Sequence, residues 1–107
     1  MPLPELTSLQ FAVLSILING EQSGRLVREG LAKRGIKKSG PAFYQLMARL
    51  EDSRQISGWY EQKIINGQII KERRYKILAN GSRAVERTRD FYAANEARFL
   101  LGGLANG

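Results

Sequence analysis

The sequence predicts a mostly α-helical fold with one small β-hairpin, and three features of the 107-residue chain carry that prediction. Apolar residues recur at helical spacing in three successive stretches between Leu9 and Leu50. The period then changes to alternation on both sides of Asn66-Gly67, a dipeptide suited to the two positive-φ positions of a type I′ hairpin turn. Helical spacing returns from about Ala79 to Leu101. A chain of this length forms one domain with one core and is short for a large catalytic scaffold.

The first helix is expected from about Leu9 to Ile18, because Thr7-Ser8-Leu9-Gln10 fits a capping box and Asn19-Gly20 ends the pattern. Leu9, Phe11, Ala12, Val13, Leu14, Ile16, Leu17 and Ile18 leave it almost no polar face. Such a helix must be covered on several sides; its own domain can supply part of that cover, and a second subunit is the candidate for the rest. Ser23 can cap a second helix with Leu26, Val27 and Leu31 as its buried stripe and Gly35 as its stop. Gly24 and Gly30 weaken that helix.

Ser39 caps a third helix, and Pro41 sits in its first turn, where a missing N–H costs nothing. Phe43, Leu46, Met47 and Leu50 form its apolar stripe, and the opposite face carries Ala42, Tyr44, Gln45, Ala48 and Arg49. Tyr44, Gln45 and Arg49 can hydrogen-bond to phosphates or base edges. Arg49 has the alternative of pairing with Glu51 or with a residue of the hairpin. Lys37 and Lys38 stand at the helix mouth, where cations oppose the helix dipole and an anionic partner would explain them.

A two-residue turn at Asn66-Gly67 pairs strands from about Trp59 to Ile65 and from Gln68 to Leu78. Ile56 then lies opposite Ile77, Gly58 opposite Tyr75 and Trp59 beside Arg74, with a tip expected to be basic and polar. Glu61 falls opposite Glu72, which is unfavourable, so a one-residue shift or a bulge is the alternative. In the last helix Val85, Thr88, Tyr92, Asn95 and Phe99 form one line, with Ala84, Phe91 and Ala94 beside it. It follows a core already nearly complete, so its aromatics favour a subunit interface; folding back over the first helix is the competing arrangement. Gly102 to Gly107 is expected to fray.

Charge points to the partner. Lys and Arg number 17 against 10 Asp and Glu, a net charge of +7, which favours a polyanion. Six basic residues and one acid lie between Arg25 and Lys38, and four basic residues and one acid between Lys71 and Lys76. The chain has no histidine and no cysteine, which removes thiol nucleophiles, disulfides, nitrogen- or sulfur-ligated zinc and the usual neutral-pH general base. No carboxylate pair, nucleophile with base or phosphate-cradling glycine motif appears, so the sequence reads as no enzyme, with no cofactor and no metal. No apolar run reaches the ~20 residues of a membrane span, and Met1 to Thr7 lacks the pattern of a secretory leader; a cytoplasmic protein without membrane contact is expected.

Three helices, a two-stranded wing and a further helix, with basic residues at the helix-turn-helix and in the wing, make a winged helix-turn-helix followed by a C-terminal dimerisation helix. The chain resembles the short members of the PadR family of transcriptional regulators. The resemblance rests on Leu6-Thr7-Ser8-Leu9-Gln10-Phe11-Ala12-Val13-Leu14, on Ser23-Gly24, on Ser39 with Tyr44 and Arg49-Leu50-Glu51, and on Arg73 through Ile77 with Gly81. Departures are Gly40-Pro41 for the family's Pro-Gly, Ala42 for Thr, Arg54-Gln55 for the Gly-Leu that closes the recognition helix, Leu78 for Thr, and Arg25 for an aromatic. The resemblance implies a homodimer, joined through the last helix with help from the first, that binds a pseudo-palindromic operator and usually represses.

On this reading residues 1–78 form the winged helix-turn-helix, 79–101 the dimerisation helix and 102–107 a flexible tail. The partner is double-stranded DNA. Ser39, Tyr44, Gln45 and Arg49 would serve at the recognition helix, Lys37 and Lys38 at flanking phosphates, and Lys63, Gln68, Lys71 and Arg73 in the wing. Phe11, Val85, Phe91, Tyr92 and Phe99 would form the dimer interface. Two other readings use the same surfaces: an RNA-binding or protein-interaction winged helix, and a dimer that senses a small aromatic effector through Phe91, Tyr92 and Phe99.

Overall fold

The structure is a computed structural model that describes residues 6–106, with side chains through Glu96. Its elements run α1 (Ser8–Leu17), β1 (Gln22–Ser23), α2 (Gly24–Lys33), α3 (Gly40–Asp52), β2 (Ile56–Ile65), β3 (Gln68–Ile77) and α4 (Ala79–Asn106). The three short helices and the base of the hairpin enclose one core, built from Leu6, Val13, Leu14, Leu17, Val27, Leu31, Phe43, Met47, Leu50, Ile56, Tyr75 and Val85 with smaller neighbours.

Local chemistry starts each helix where expected. The Gln10 N–H donates to the Thr7 hydroxyl at 3.1 Å and the Thr7 N–H donates to Gln10 Oε1 at 3.0 Å, closing the capping box of α1. Ser23 and Ser39 cap α2 and α3 by accepting from the N–H of Leu26 and of Ala42. Ser23 has a second task that its capping role concealed, because it and Gln22 form β1, which pairs with Tyr75 and Arg74. The hairpin thus becomes a three-stranded sheet in the order β1-β3-β2.

The hairpin takes the two-residue register, Ile56 opposite Ile77 through Ile65 opposite Gln68, around a turn with φ of 51° at Asn66 and 77° at Gly67. Glu61 does sit opposite Glu72. The repulsion that would favour a shifted register is relieved by cations, since Arg74 lies 3.1 Å from Glu61 and 3.8 Å from Glu72, and Lys63 lies 2.8 Å from Glu72. The Lys63 ammonium, then a hydrogen bond from Ser23 and last the field of Arg74, hold the Glu72 carboxyl below its ordinary range against a smaller opposing effect of burial.

Four expectations are corrected by the structure. Leu26 is exposed, because the buried stripe of α2 runs through Gly24, Val27 and Leu31. Gly24 and Gly30 serve close approach: a Cβ at Gly24 would meet the Tyr75 ring at 3.2 Å, and one at Gly30 would meet Ile16 Cδ1 at 3.1 Å. Val85 is fully buried within the single chain, beside Ala84 and Thr88, so it belongs to the core and is unavailable to a second subunit. Finally, α4 continues to Asn106, past the Leu101 end and through the stretch expected to fray.

A candidate nucleic-acid interface between α3 and the hairpin

Helix α3 divides sharply. Phe43, Leu46, Met47 and Leu50 face the core, while Tyr44, Gln45, Ala48 and Arg49 are exposed on one side. Tyr44 is held rather than free, its ring edge-on to Phe43 with centroids 5.2 Å apart, yet 49% of it remains exposed. Ser39 is occupied as the cap, with its oxygen 3.3 Å from the Ala42 nitrogen.

The entry to α3 is fixed by a residue that sequence reasoning did not single out. Arg28 donates from Nε and Nη2 to the Lys38 carbonyl at 3.0 and 2.8 Å, tying α2 to the connection before α3. Lys37 and Lys38 stay exposed beside Arg28 and Ala32 around a shallow groove of about 230 Å³. The only signal in the sequence was the basic run in which Arg28 lies. The exit is set by Arg54, which adopts the left-handed conformation with φ of 58°. The Arg54 N–H donates to Glu51 and the Gln55 N–H to Leu50, so the helix closes as it would with glycine there.

Helix and hairpin face each other across a cleft of about 440 Å³. Tyr44 comes from α3, Arg25 from the start of α2, and Lys63, Ile65, Ile70 and Lys71 from the hairpin, with Glu72 and Arg73 completing the wall. The structure therefore brings Tyr44, Lys63, Lys71 and Arg73 to one place. Gln45 and Arg49 lie farther along the exposed face of α3, and Gln68 is exposed at the start of β3. Arg25 was missed as a site residue; it is exposed and paired with Glu29 at 3.1 Å.

Two of the expected wing cations are engaged within the chain. Arg73 donates to Glu51 at 2.7 Å, and its guanidinium lies 4.8 Å from the Tyr60 ring centroid and 5.5 Å from that of Tyr75. It is largely covered, and its place is to brace the hairpin against the end of α3. Gly58 makes this possible, because a Cβ there would run into Glu51 Oε1 and come within 2.9 Å of Arg73 Nη2 and Tyr75 Cε1. Burial pushes the Tyr75 hydroxyl above its ordinary titration range, with Arg73 opposing the shift. Lys63 is bound to Glu72, which leaves Lys71, of the three cations expected in the wing, without an ion pair among the described residues.

The expected basic, polar tip is also corrected. Ile64, Ile65, Ile69 and Ile70 surround the turn and are 77%, 48%, 70% and 41% exposed. Elsewhere, no helix among the described residues is long and apolar enough to cross a membrane, and no group of three or more acidic, histidine or cysteine side chains is placed to hold a metal ion.

No protein-family model matches the sequence, and no curated protein sequence matches it. Known structures do match the fold. A PadR family transcription regulator from Clostridium difficile superposes with a TM-score of 0.66 at 17% identity, over 94% of this chain and 97% of that one. A PadR family regulator from Eggerthella lenta gives 0.61 at 24% identity, covering 92% and 80%. Bacillus subtilis PadR, in complex with operator DNA, gives 0.60 at 19% identity over 75% of this chain and 45% of that protein. The chain is a winged helix-turn-helix protein. More particularly, its fold is that of the PadR-family transcription regulators.

Proposed function

We propose that this protein is a sequence-specific double-stranded DNA-binding transcriptional regulator of the PadR type, acting as a homodimer on a pseudo-palindromic operator and repressing the genes it controls. One observation carries the reading. Tyr44, on the polar face of an α3 held by core packing on its other side, opens onto the same cleft as the hairpin in a chain of net charge +7. That arrangement suits a helix in the major groove with a wing on the adjacent backbone. Tyr44 and Gln45 are the foremost base-reading residues, Arg49 extends the contact, and Lys37, Lys38 and Lys71 serve phosphates.

The dimer is assigned to the outer half of α4. No residue of the described side chains beyond Thr88 is buried, and Tyr92 is 45% exposed. Phe91 and Tyr92 pack edge-on at 5.5 Å, forming an apolar step that a second copy would cover. Phe11 is half-buried against the core and can contribute at the margin. Phe99 lies outside the described side chains.

Selection of bound sequences from a random duplex pool tests the function. An inverted repeat with half-sites ~10 bp apart, or a multiple of that, is the expected result. Recovery of no preferred duplex, or of tighter binding to single-stranded RNA than to any duplex, would overturn it.

A further inference from the structure

Strand β2 leaves one edge of the sheet open. In the order β1-β3-β2 it is paired on one side only among the described residues, and Tyr60 to Ile65 are exposed. The pair that flanks a two-residue turn is hydrogen-bonded, here Ile65 with Gln68, and such pairs alternate along an antiparallel ladder. Tyr60, Gln62 and Ile64 therefore aim their N–H and C=O groups away from β3, into the open edge. Tyr60 and Ile64, 68% and 77% exposed, share one face with Gln62, while Trp59, Glu61, Lys63 and Ile65 share the other.

An open edge with isoleucine on both faces is a template for another strand, and charged residues ordinarily guard such an edge. Here the guards fit a second copy of the same strand. Antiparallel pairing centred on Gln62 sets Glu61 opposite the partner's Lys63, Tyr60 opposite the partner's Ile64 and Trp59 opposite the partner's Ile65. Opposite charges and aromatic–β-branched pairs are the favourable cross-strand combinations. The two neighbouring registers that also match the outward backbone groups, centred on Glu61 and on Lys63, would set each of those charges against its own copy. Neither charge has to leave its place within the chain. Glu61 lies 3.1 Å from Arg74 and Lys63 lies 2.8 Å from Glu72, and both keep an exposed side, so the new pair lengthens a row of alternating sign. Lys71, opposite Gln62 on β3, would end three strand spacings, ~14 Å, from its copy, beyond the ~8 Å screening length at physiological salt.

We propose that β2 is a self-pairing edge, and that two copies of this chain join antiparallel about Gln62 into one sheet in the order β1-β3-β2-β2-β3-β1. The contact is separate from α4 and does not rest on the DNA-binding reading. A ladder this short is weak, so it forms at high local concentration and leaves the micromolar assembly to α4. Its two-fold axis differs from that of α4, so it joins dimers into larger assemblies.

The chain has no cysteine, so a single introduced thiol reports the contact. A hydrogen-bonded antiparallel pair has its Cα atoms ~5.5 Å apart, within the span of a disulfide, so Gln62→Cys should cross-link two copies across the axis. With the full chain at submillimolar concentration in a glutathione buffer, without DNA, this disulfide should form about tenfold faster than that of Lys71→Cys, which lies on the same face but far from its copy. Adding Glu61→Lys to Gln62→Cys should reduce the rate to the Lys71→Cys level, and so should adding Lys63→Glu, because each sets like charges opposite one another. Mixing these two double variants should restore cross-linking between them, since each supplies the charge the other lacks; a hairpin that had merely misfolded would not be rescued. Gln62→Cys cross-linking no faster than Lys71→Cys, indifference to Glu61→Lys, or a mixture that recovers nothing would each overturn the pairing. None of these outcomes alters what the duplex selection reports.

Discussion

Tyr44 and Arg54 show how much one side chain can decide here. Tyr44 presents a hydroxyl from a ring clamped on Phe43, so its contact costs little ordering entropy when a partner arrives. Tyr44→Ala should weaken operator binding by ~1 to 3 kcal/mol without loss of fold. Gel-shift titration alongside thermal melting would check this, and unchanged affinity in a well-folded variant would remove Tyr44 from the site. Arg54 carries its φ of 58° at a position that glycine would fill without steric conflict. Arg54→Gly should therefore raise stability by roughly 0.5 to 1 kcal/mol, read as a higher urea midpoint. A lower midpoint would mean that the Arg54 side chain makes contacts that outweigh the backbone strain.

At the scale of the element, the hairpin is held to α3 through Gly58, Glu51 and Arg73. Gly58→Ala would force Glu51 and Arg73 apart over the Tyr75 ring, and should cost about 1 to 3 kcal/mol as an overpacked site. Operator affinity should fall too, because the wing would lose its angle to the helix; a variant as stable as wild type would refute the brace. The two wing lysines should separate in their effects. Lys71 has no ion pair among the described residues, so Lys71→Ala should flatten the salt dependence by about one unit. Lys63 spends its charge on Glu72, and Lys63→Ala should change the slope less. Equal slopes for the two variants would show that DNA displaces Glu72 from Lys63.

For the whole molecule, the proposed dimer surface is the outer half of α4. The chain measures 67 × 26 × 23 Å, much longer than one compact core of this size requires, with α4 and the hairpin as its long elements. Burying the Phe91–Tyr92 step in a second copy would gain roughly 1.5 to 3 kcal/mol per large side chain, repeated by the two-fold axis. Sedimentation at micromolar concentration should give a dimer, and Tyr92→Glu should shift it toward monomer. A wild-type monomer, or a dimer indifferent to Tyr92→Glu, would overturn this interface and with it the predicted palindrome.

Signals confined to a few neighbouring residues determined a large part of this protein. Thr7 with Gln10, Ser39 with Pro41, and Asn66-Gly67 act through bonds or dihedrals within three or four positions, so the helix starts, the turn and the entire hairpin register could be read without the fold. The split of α3 into a core face and a polar face followed from spacing alone, and with it most of the candidate site. What the sequence could not decide were the outcomes of competition between distant groups. Ser23 both caps α2 and pairs with Arg74, Arg74 rescues the Glu61–Glu72 clash, and Arg73 turns inward to Glu51 over Gly58. Val85 is claimed by the core and Leu26 is left outside it, although both stand at helical core spacing. A basic residue in a sequence is a free charge until its neighbours in space are known, and here the tertiary structure determined which cations brace the wing and which stay exposed without doing so.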